Sequence, residues 1–338
     1  MHMSDALLSP VVGGAFWVAS GALIAVSAKK ITDENDHRKT PLMGVLGAFV
    51  FAAQMINFTI PGTGSSGHLG GGLLLAVMLG PWRAFITLAS VLIIQCLFFA
   101  DGGLLALGCN IFNLAFFPAF VAFPFIYSKI AGNSTNPGTI GRASISAATA
   151  GLLMGAFSVV IQTVLSGITE LPFTTFTLFM LPVHLAIGIV EGLVTWGVLA
   201  FVARTEPALL PASGSPGPKQ GTVLASLAIA ALLTGGLLSW FASSDPDGLE
   251  WSMAKTTGSE EFAGTPDAMK DYLAGLQEKT AFLPDYGFRA AGEPVPGSAS
   301  PVSPETSVSG IVGSLAVVAT AWAAGVVLGR KRRETGTA

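Results

Sequence analysis

Residues 177–203 read TLFMLPVHLAIGIVEGLVTWGVLAFVA, an apolar run long enough to cross a bilayer as one helix. His184 and Glu191 are its only ionisable side chains. They lie about two helical turns apart and so share a face. Ionisable groups inside a span are costly and mark functional positions. Support behind a binding pocket, or packing between helices, fits this pair better than direct metal ligation. The spacing is not H-E-x-x-H, so the zinc-protease pattern is absent.

The rest of the chain has the same character. Its 338 residues are 51 % hydrophobic and 11 % charged, against roughly 25 % charge in soluble domains. Mean hydropathy is +0.65. These values predict an all-α membrane protein: a seven-span helical core, plus two further transmembrane helices flanking a small extracytoplasmic segment. The expected spans are 11–28, 41–58, 69–81, 84–100, 104–127, 143–167, 177–203, 221–242 and 308–328. The third falls short of the ~20 residues a full crossing needs and predicts a short helix buried among its neighbours. The 41 glycines suit close helix packing in lipid. A net charge of −3 gives no footprint for nucleic acid. Cys96 and Cys109 lie in apolar stretches and read as small buried hydrophobes, not as ligands or a disulfide.

Basic residues set the orientation. With the N-terminus outside, all but four of the 17 Lys and Arg fall in short cytoplasmic segments or the C-terminal tail. The exceptions, Lys255, Lys270, Lys279 and Arg289, share one long outer segment, 243–307, and long segments translocate largely regardless of charge. The division is then 1–205 core, 206–220 cytoplasmic Pro/Gly/Ser linker, and 221–338 with its acidic segment 243–307 outside. That segment reads as at most a small domain with disordered flanks, in an accessory role. His37 falls in a charged cytoplasmic loop and reads as solvated.

The chemistry concentrates on the outer face. No basic n-region precedes the first apolar run, so no signal peptide is expected and the Met1 amine stays on the protein. An α-amine, the next backbone nitrogen and an imidazole at position 2 can close two fused chelate rings on one ion, and nitrogen donors in a plane suit Ni(II) or Cu(II). His68, in the loop PGTGSSGH at 61–68, reaches the same face. Asp101 is expected to cap the following helix. Asn110 and Asn113 are expected to hydrogen-bond between helices or to the His68 loop. Ala15 and Ala19 form a small-xxx-small pattern that suits a partner subunit or internal packing equally.

These stretches resemble a known family. The start MHMSDALLSP is similar to the MHIPDGFLSP opening of CbiM/NikM-type proteins, with Met3-Ser4 and Ala6-Leu7 as departures. PLMGVLGAFVFAAQMINFTIPGTGSSGHLGGG (41–72), ADGGLLALGCNIFNLAF (100–116) and HLAIGIVEGLVT (184–195) agree in order. DPDGLE at 245–250 resembles the PDGLE segment of the companion N-type component, here fused behind the core. The resemblance implies the substrate-binding subunit of an energy-coupling-factor nickel or cobalt transporter, a family linked to cobalamin biosynthesis, in a prokaryotic plasma (inner) membrane. It implies metal ligation by Met1, His2 and His68, with His184, Glu191, Asn110, Asn113 and Asp101 behind them. It also implies a transmembrane coupling subunit and two ATPase subunits as partners.

No cofactor is expected, Ni2+ or Co2+ being the substrate, with nickel favoured. No G-x-x-x-x-G-K-[ST] loop occurs, so ATP hydrolysis would fall to other chains. An ion-coupled secondary transporter using His184 and Glu191 is the alternative, weakened because Glu191 is the only acid well inside a span. A metalloenzyme fits worse, because four planar nitrogens leave few open positions.

Overall fold

A computed structural model describes residues 2–34, 39–210, 221–260, 267–289 and 303–334. Met1, His37, most of the linker and residues 290–302 lie outside these. The helices are α1 (Pro10–Glu34), α2 (Thr40–Gln54), α3 (Gly72–Leu79), α4 (Pro81–Phe99), α5 (Leu107–Ala131), α6 (Pro137–Ser166), α7 (Phe173–Thr205), α8 (Gly221–Gly236), α9 (Gly248–Thr257), α10 (Ala268–Thr280) and α11 (Pro304–Glu334). Six of them, α1, α4, α5, α6, α7 and α11, are long and apolar enough to span a membrane. Large apolar side chains such as Val18, Leu165, Leu178 and Leu315 point outward, as a lipid-facing surface requires.

The expected count of nine spans is thus met only in part. α2 and α8 are shorter apolar helices, and α3 is a fully buried stub, as its length predicted. The expected span 41–58 stops at Gln54 because its last residues enter a hairpin, β1 (Phe58–Ile60) with β2 (Ser65–Gly67). These strands are antiparallel, with Phe58 opposite Gly67. Gly62 and Gly64 turn the chain between them at φ of +78° and +71°. The expected span 221–242 likewise ends early, at Gly236.

α5 runs in π geometry over Phe112–Tyr127 and carries Pro118 and Pro124. A proline has no N–H and crowds the preceding turn, and a wider helix relieves that conflict. α6 and α7 pack closely: a Cβ on Gly188 or Gly192 would lie 2.7 Å from Thr149 Cα or 2.4 Å from Ile145 Cα. α8 and α11 pack on α2, so the C-terminal helices do lie against the core. A Cβ on Gly310 would come within 2.1 Å of the Gly235 carbonyl oxygen, and one on Gly313 within 2.0 Å of the Phe51 ring.

The described residues of 243–307 are more ordered than the composition of that segment suggested. Asp247 and Glu250 form a reciprocal capping box at the start of α9. Asp267 caps α10 by accepting from Met269 and Lys270 N–H. Gly313→Leu should overpack the α2–α11 contact by about 1–3 kcal/mol. The check is a lowered melting temperature in detergent, with no such fall for a leucine at lipid-facing Ala323.

Candidate metal centre

Before α1 the chain is extended at Met3 and Ser4 and makes a 3-10 turn at Asp5–Leu7, with Met3 buried and no sheet to join. Its backbone groups therefore need side-chain partners. Asn110 supplies them, accepting from Met3 N–H at 2.8 Å and donating to the Met3 carbonyl at 3.2 Å. Gly103 N–H donates to the same carbonyl at 3.0 Å. Asp5 accepts from Ala106 N–H at 2.9 Å, and Met3, Leu7 and Leu8 are buried. Asn113 pairs with Gln162 on α6 through two hydrogen bonds of 2.9 and 2.7 Å. Asn113 thus joins helices as expected, whereas Asn110 holds the N-terminal strand and not the His68 loop.

This clamp places His2 against His68. The two rings stack with centroids 5.0 Å apart and planes at 22°. The His2 side chain is only 8 % exposed. Its Nδ1 lies 2.8 Å from Asp101 Oδ1, and its Nε2 is buried with no hydrogen-bond partner among the described residues. A buried imidazole nitrogen without a partner is unusual. Asp101 does not cap the next helix, whose first turn leaves it behind at Ala106. It faces His2 instead, because its other oxygen accepts the Tyr286 hydroxyl at 2.5 Å. Burial would raise the Asp101 carboxyl, but His2 and the Tyr286 hydroxyl hold it well below the usual carboxylate range.

His68 sits just after β2. Its Nδ1–H donates to the Leu69 carbonyl at 3.1 Å, which leaves Nε2 as the lone-pair nitrogen. Burial, then the charge of nearby groups including His2, pushes its pKa down to about 3. The imidazole is therefore neutral. Two backbone N–H groups after it, Gly70 and Gly71, donate to Glu191 at 3.0 and 3.1 Å. Gly71 takes φ of +75° with Val50 close behind it, so no larger residue fits. Glu191 thus fixes the His68 loop against α7. His184 does not bond to Glu191; its Nδ1 pairs with the Met180 carbonyl at 2.8 Å.

Sequence reasoning missed the roof. The turn before α9 docks on the hairpin: Ser66 N–H donates to Pro246 O and its hydroxyl to Asp245 O, both at 2.8 Å. Trp251 Nε1 donates to Thr63 O at 3.0 Å. On the far side, Gln277 donates to Gly102 O at 2.7 Å, and Leu283 N–H to Phe98 O at 3.1 Å. Asp285 and Tyr286 adopt φ of +50° and +61°, a conformation costing roughly 1–2 kcal/mol each for non-glycine residues. Contact between Tyr286 and the Phe99 ring, at 4.7 Å, and its bond to Asp101 offset that cost. Beneath the roof lies a cavity of about 520 Å³ whose walls include His2, His68, Asp101, Asp247, Glu250 and Asp285. The capping box at 247–250 was a visible signal for α9; nothing local signalled where it docks.

Among the described residues no three His, Cys, Asp or Glu side chains converge on one point. The pocket instead offers two imidazoles beside the N-terminal backbone, inside a membrane-embedded helical core.

The chain belongs to the CbiM family: the profile described as "Cobalt uptake substrate-specific transmembrane region" matches residues 2–209. A PDGLE domain matches residues 221–330. A chain of Archaeoglobus fulgidus, provisionally named a fused nickel transport protein NikMN, is 31 % identical over 96 % of this chain and 97 % of its own. The fused nickel transport protein NikMN of Rhodobacter capsulatus is 30 % identical, with 81 % and 80 % of the two chains covered. The cobalt transport protein CbiM of Sorangium cellulosum is 29 % identical over 62 % of this chain and 94 % of its own. A crystal structure of a truncated transition metal transporter superposes with a TM-score of 0.53 at 31 % identity, covering 60 % of this chain and 99 % of that one. The chain is accordingly a CbiM-type component of metal uptake and a multi-pass membrane protein.

Asp101→Asn keeps an acceptor for Tyr286 but removes the charge facing His2. It should weaken metal binding about 10- to 100-fold while the protein still folds. Titration calorimetry on purified protein, beside its melting curve, checks both halves.

Proposed function

We propose that this chain captures Ni2+, and Co2+ less readily, on the outer membrane face as the substrate-specific component of an ATP-driven energy-coupling-factor transporter. The supporting observation is the buried, stacked His2–His68 pair beside the N-terminal backbone. The proposed ligands are the Met1 amine, the backbone nitrogen and imidazole of His2, and the His68 imidazole. Nδ1 is the ring nitrogen that closes a six-membered chelate with the His2 backbone nitrogen. Coordination through it replaces the contact with Asp101 and leaves that carboxylate beside the ion. A planar nitrogen set suits Ni(II), which is the basis for ranking nickel first. The names of the relatives span both metals.

The sequence offers no P-loop, so a coupling subunit and two ATPase subunits supply the energy in this reading. The outer face of α1 is open to such a partner: Ala15, Trp17 and Val18 are exposed, while Gly13 and Ser20 make the internal contacts. The secondary-transporter reading fares worse. Both Glu191 oxygens are taken by backbone N–H groups, and His184 does not meet it. A proton carrier needs a looser carboxylate.

The experiment is metal analysis of protein exposed to equimolar Ni2+ and Co2+, for the parent chain, His2→Ala and a variant with one Ala inserted after Met1. The parent should hold about one ion, mostly nickel. Both variants should lose uptake by more than about 100-fold, because His2→Ala removes the imidazole and the insertion enlarges the chelate and moves the ring from its place beside His68. Normal uptake by His2→Ala would sink the proposed ligand set. The roof makes a further expectation: a chain ending at residue 205 keeps the same ligands but releases metal at least about tenfold faster, since water reaches the pocket. Stopped-flow chelator competition measures that rate.

A further inference from the structure

His184 has a chemistry that its supporting place behind His68 does not use. It lies in α7, 1 % exposed. A carbonyl only accepts, so the 2.8 Å contact with Met180 O places the proton on Nδ1. Nε2 is then a bare lone pair, and it is buried without a partner among the described residues. An imidazole whose other N–H is tied to a carbonyl is the usual build of a metal-ligating histidine. His68 is built the same way through Leu69 O.

Both histidines line one small cavity of about 10 Å³, enough for a single water or ion, together with Asp247. The C-terminal domain closes it: a Cβ on Gly248 would lie 3.0 Å from His184 Cε1 and 3.1 Å from Ile187 Cδ1. His184 and Ile187 of α7 line this cavity together with His68, and His2 does not. Its walls do not converge into a tight coordination sphere, which suits a position that an ion passes through and does not rest in.

We propose that His184 is a relay ligand: the metal ion leaves the outer site by keeping its bond to His68 and exchanging its N-terminal donors for His184 Nε2. The inference rests on the reading of His2 and His68 as the outer site. Retaining His68 means that the ion is never stripped of all protein donors. No redox change is involved, and His184 needs to shed no proton because its lone pair is already free. Gly248 caps the cavity, so the fused domain blocks the return path to the outside while the exchange occurs.

The test uses the full chain and Co2+, whose bonds to sulfur absorb strongly. In a His2→Ala background, H184C should give a thiolate-to-cobalt charge-transfer band that His2→Ala alone lacks; Cys96 and Cys109 are common to both proteins. H184M, which keeps the length and offers a thioether, serves if H184C does not fold, with cobalt X-ray absorption reporting a sulfur neighbour. In cells supplying the partner subunits, H184Q should lower maximal Co2+ uptake at least tenfold with its half-saturating concentration unchanged. Absence of a sulfur signature in both variants overturns the proposal and leaves the cavity to a water molecule. A rise in half-saturating concentration with maximal uptake unchanged also overturns it, making His184 a support of the outer site. Equal Co2+ binding by the parent chain and His2→Ala would instead strike the outer-site reading, whatever His184 does.

Discussion

The placement of His2 in the pocket depends on the clamp that Asn110 puts on the Met3 backbone. An extended peptide buried without a sheet partner would leave its N–H and C=O unsatisfied, at about 1–3 kcal/mol for each group. One primary amide answers both groups of Met3 and so fixes the strand's depth and register at once. His2 is one residue away and inherits that position. Because Asn110 lies at the start of α5, the N-terminal strand is tied to the same helix that passes beneath the pocket. Asn113, one turn further on, ties that helix to Gln162 on α6.

A second chain of constraints reaches the pocket from the opposite end of the sequence. Tyr286 holds Asp101, and Asp101 holds His2. The turn at 245–247 holds the hairpin that carries His68. Each of the two histidines is therefore braced from the core and from the fused domain. Fusion suits this design, because one brace is a phenol–carboxylate hydrogen bond and the other rests on backbone carbonyls, and neither tolerates much displacement. The accessory role proposed for residues 243–307 acquires a physical content: Pro246 bonds to the hairpin before His68, and Tyr286 to the carboxylate facing His2.

Inside the membrane the polar groups are spent on geometry. Glu191 uses both oxygens to hold the backbone of Gly70 and Gly71, and α7 thereby sets the height of His68. The π-form of α5 lets Pro118 approach Gly72, where a Cβ would meet it at 2.9 Å. Close approach by glycine and satisfaction of each buried polar group are what a helical protein in lipid has in place of a hydrophobic drive between its helices.

Much of this was legible in the sequence. Hydropathy is a local sum, and it predicted the helical membrane class and a short buried helix within 69–81, which the structure places at Gly72–Leu79. Motif order carried the family. What the sequence left open were pairings between distant groups: Asn110 with Met3, Asp101 with His2 and Tyr286, Glu191 with Gly70 and Gly71, and Pro246 with Ser66. Asp101 read as a helix cap because capping is the local option for an aspartate beside a turn. Tertiary packing overruled it by bringing an imidazole and a phenol closer than the helix end. The chain ordered α9 and α10 for the same reason, since an acidic, Pro/Gly-rich segment acquires structure from the surface it docks on. Composition and pattern thus determined which segments enter the membrane and which atoms could bind metal. Only the fold decided which of those atoms meet, because a hydrogen bond depends on positions in space that no local sum contains.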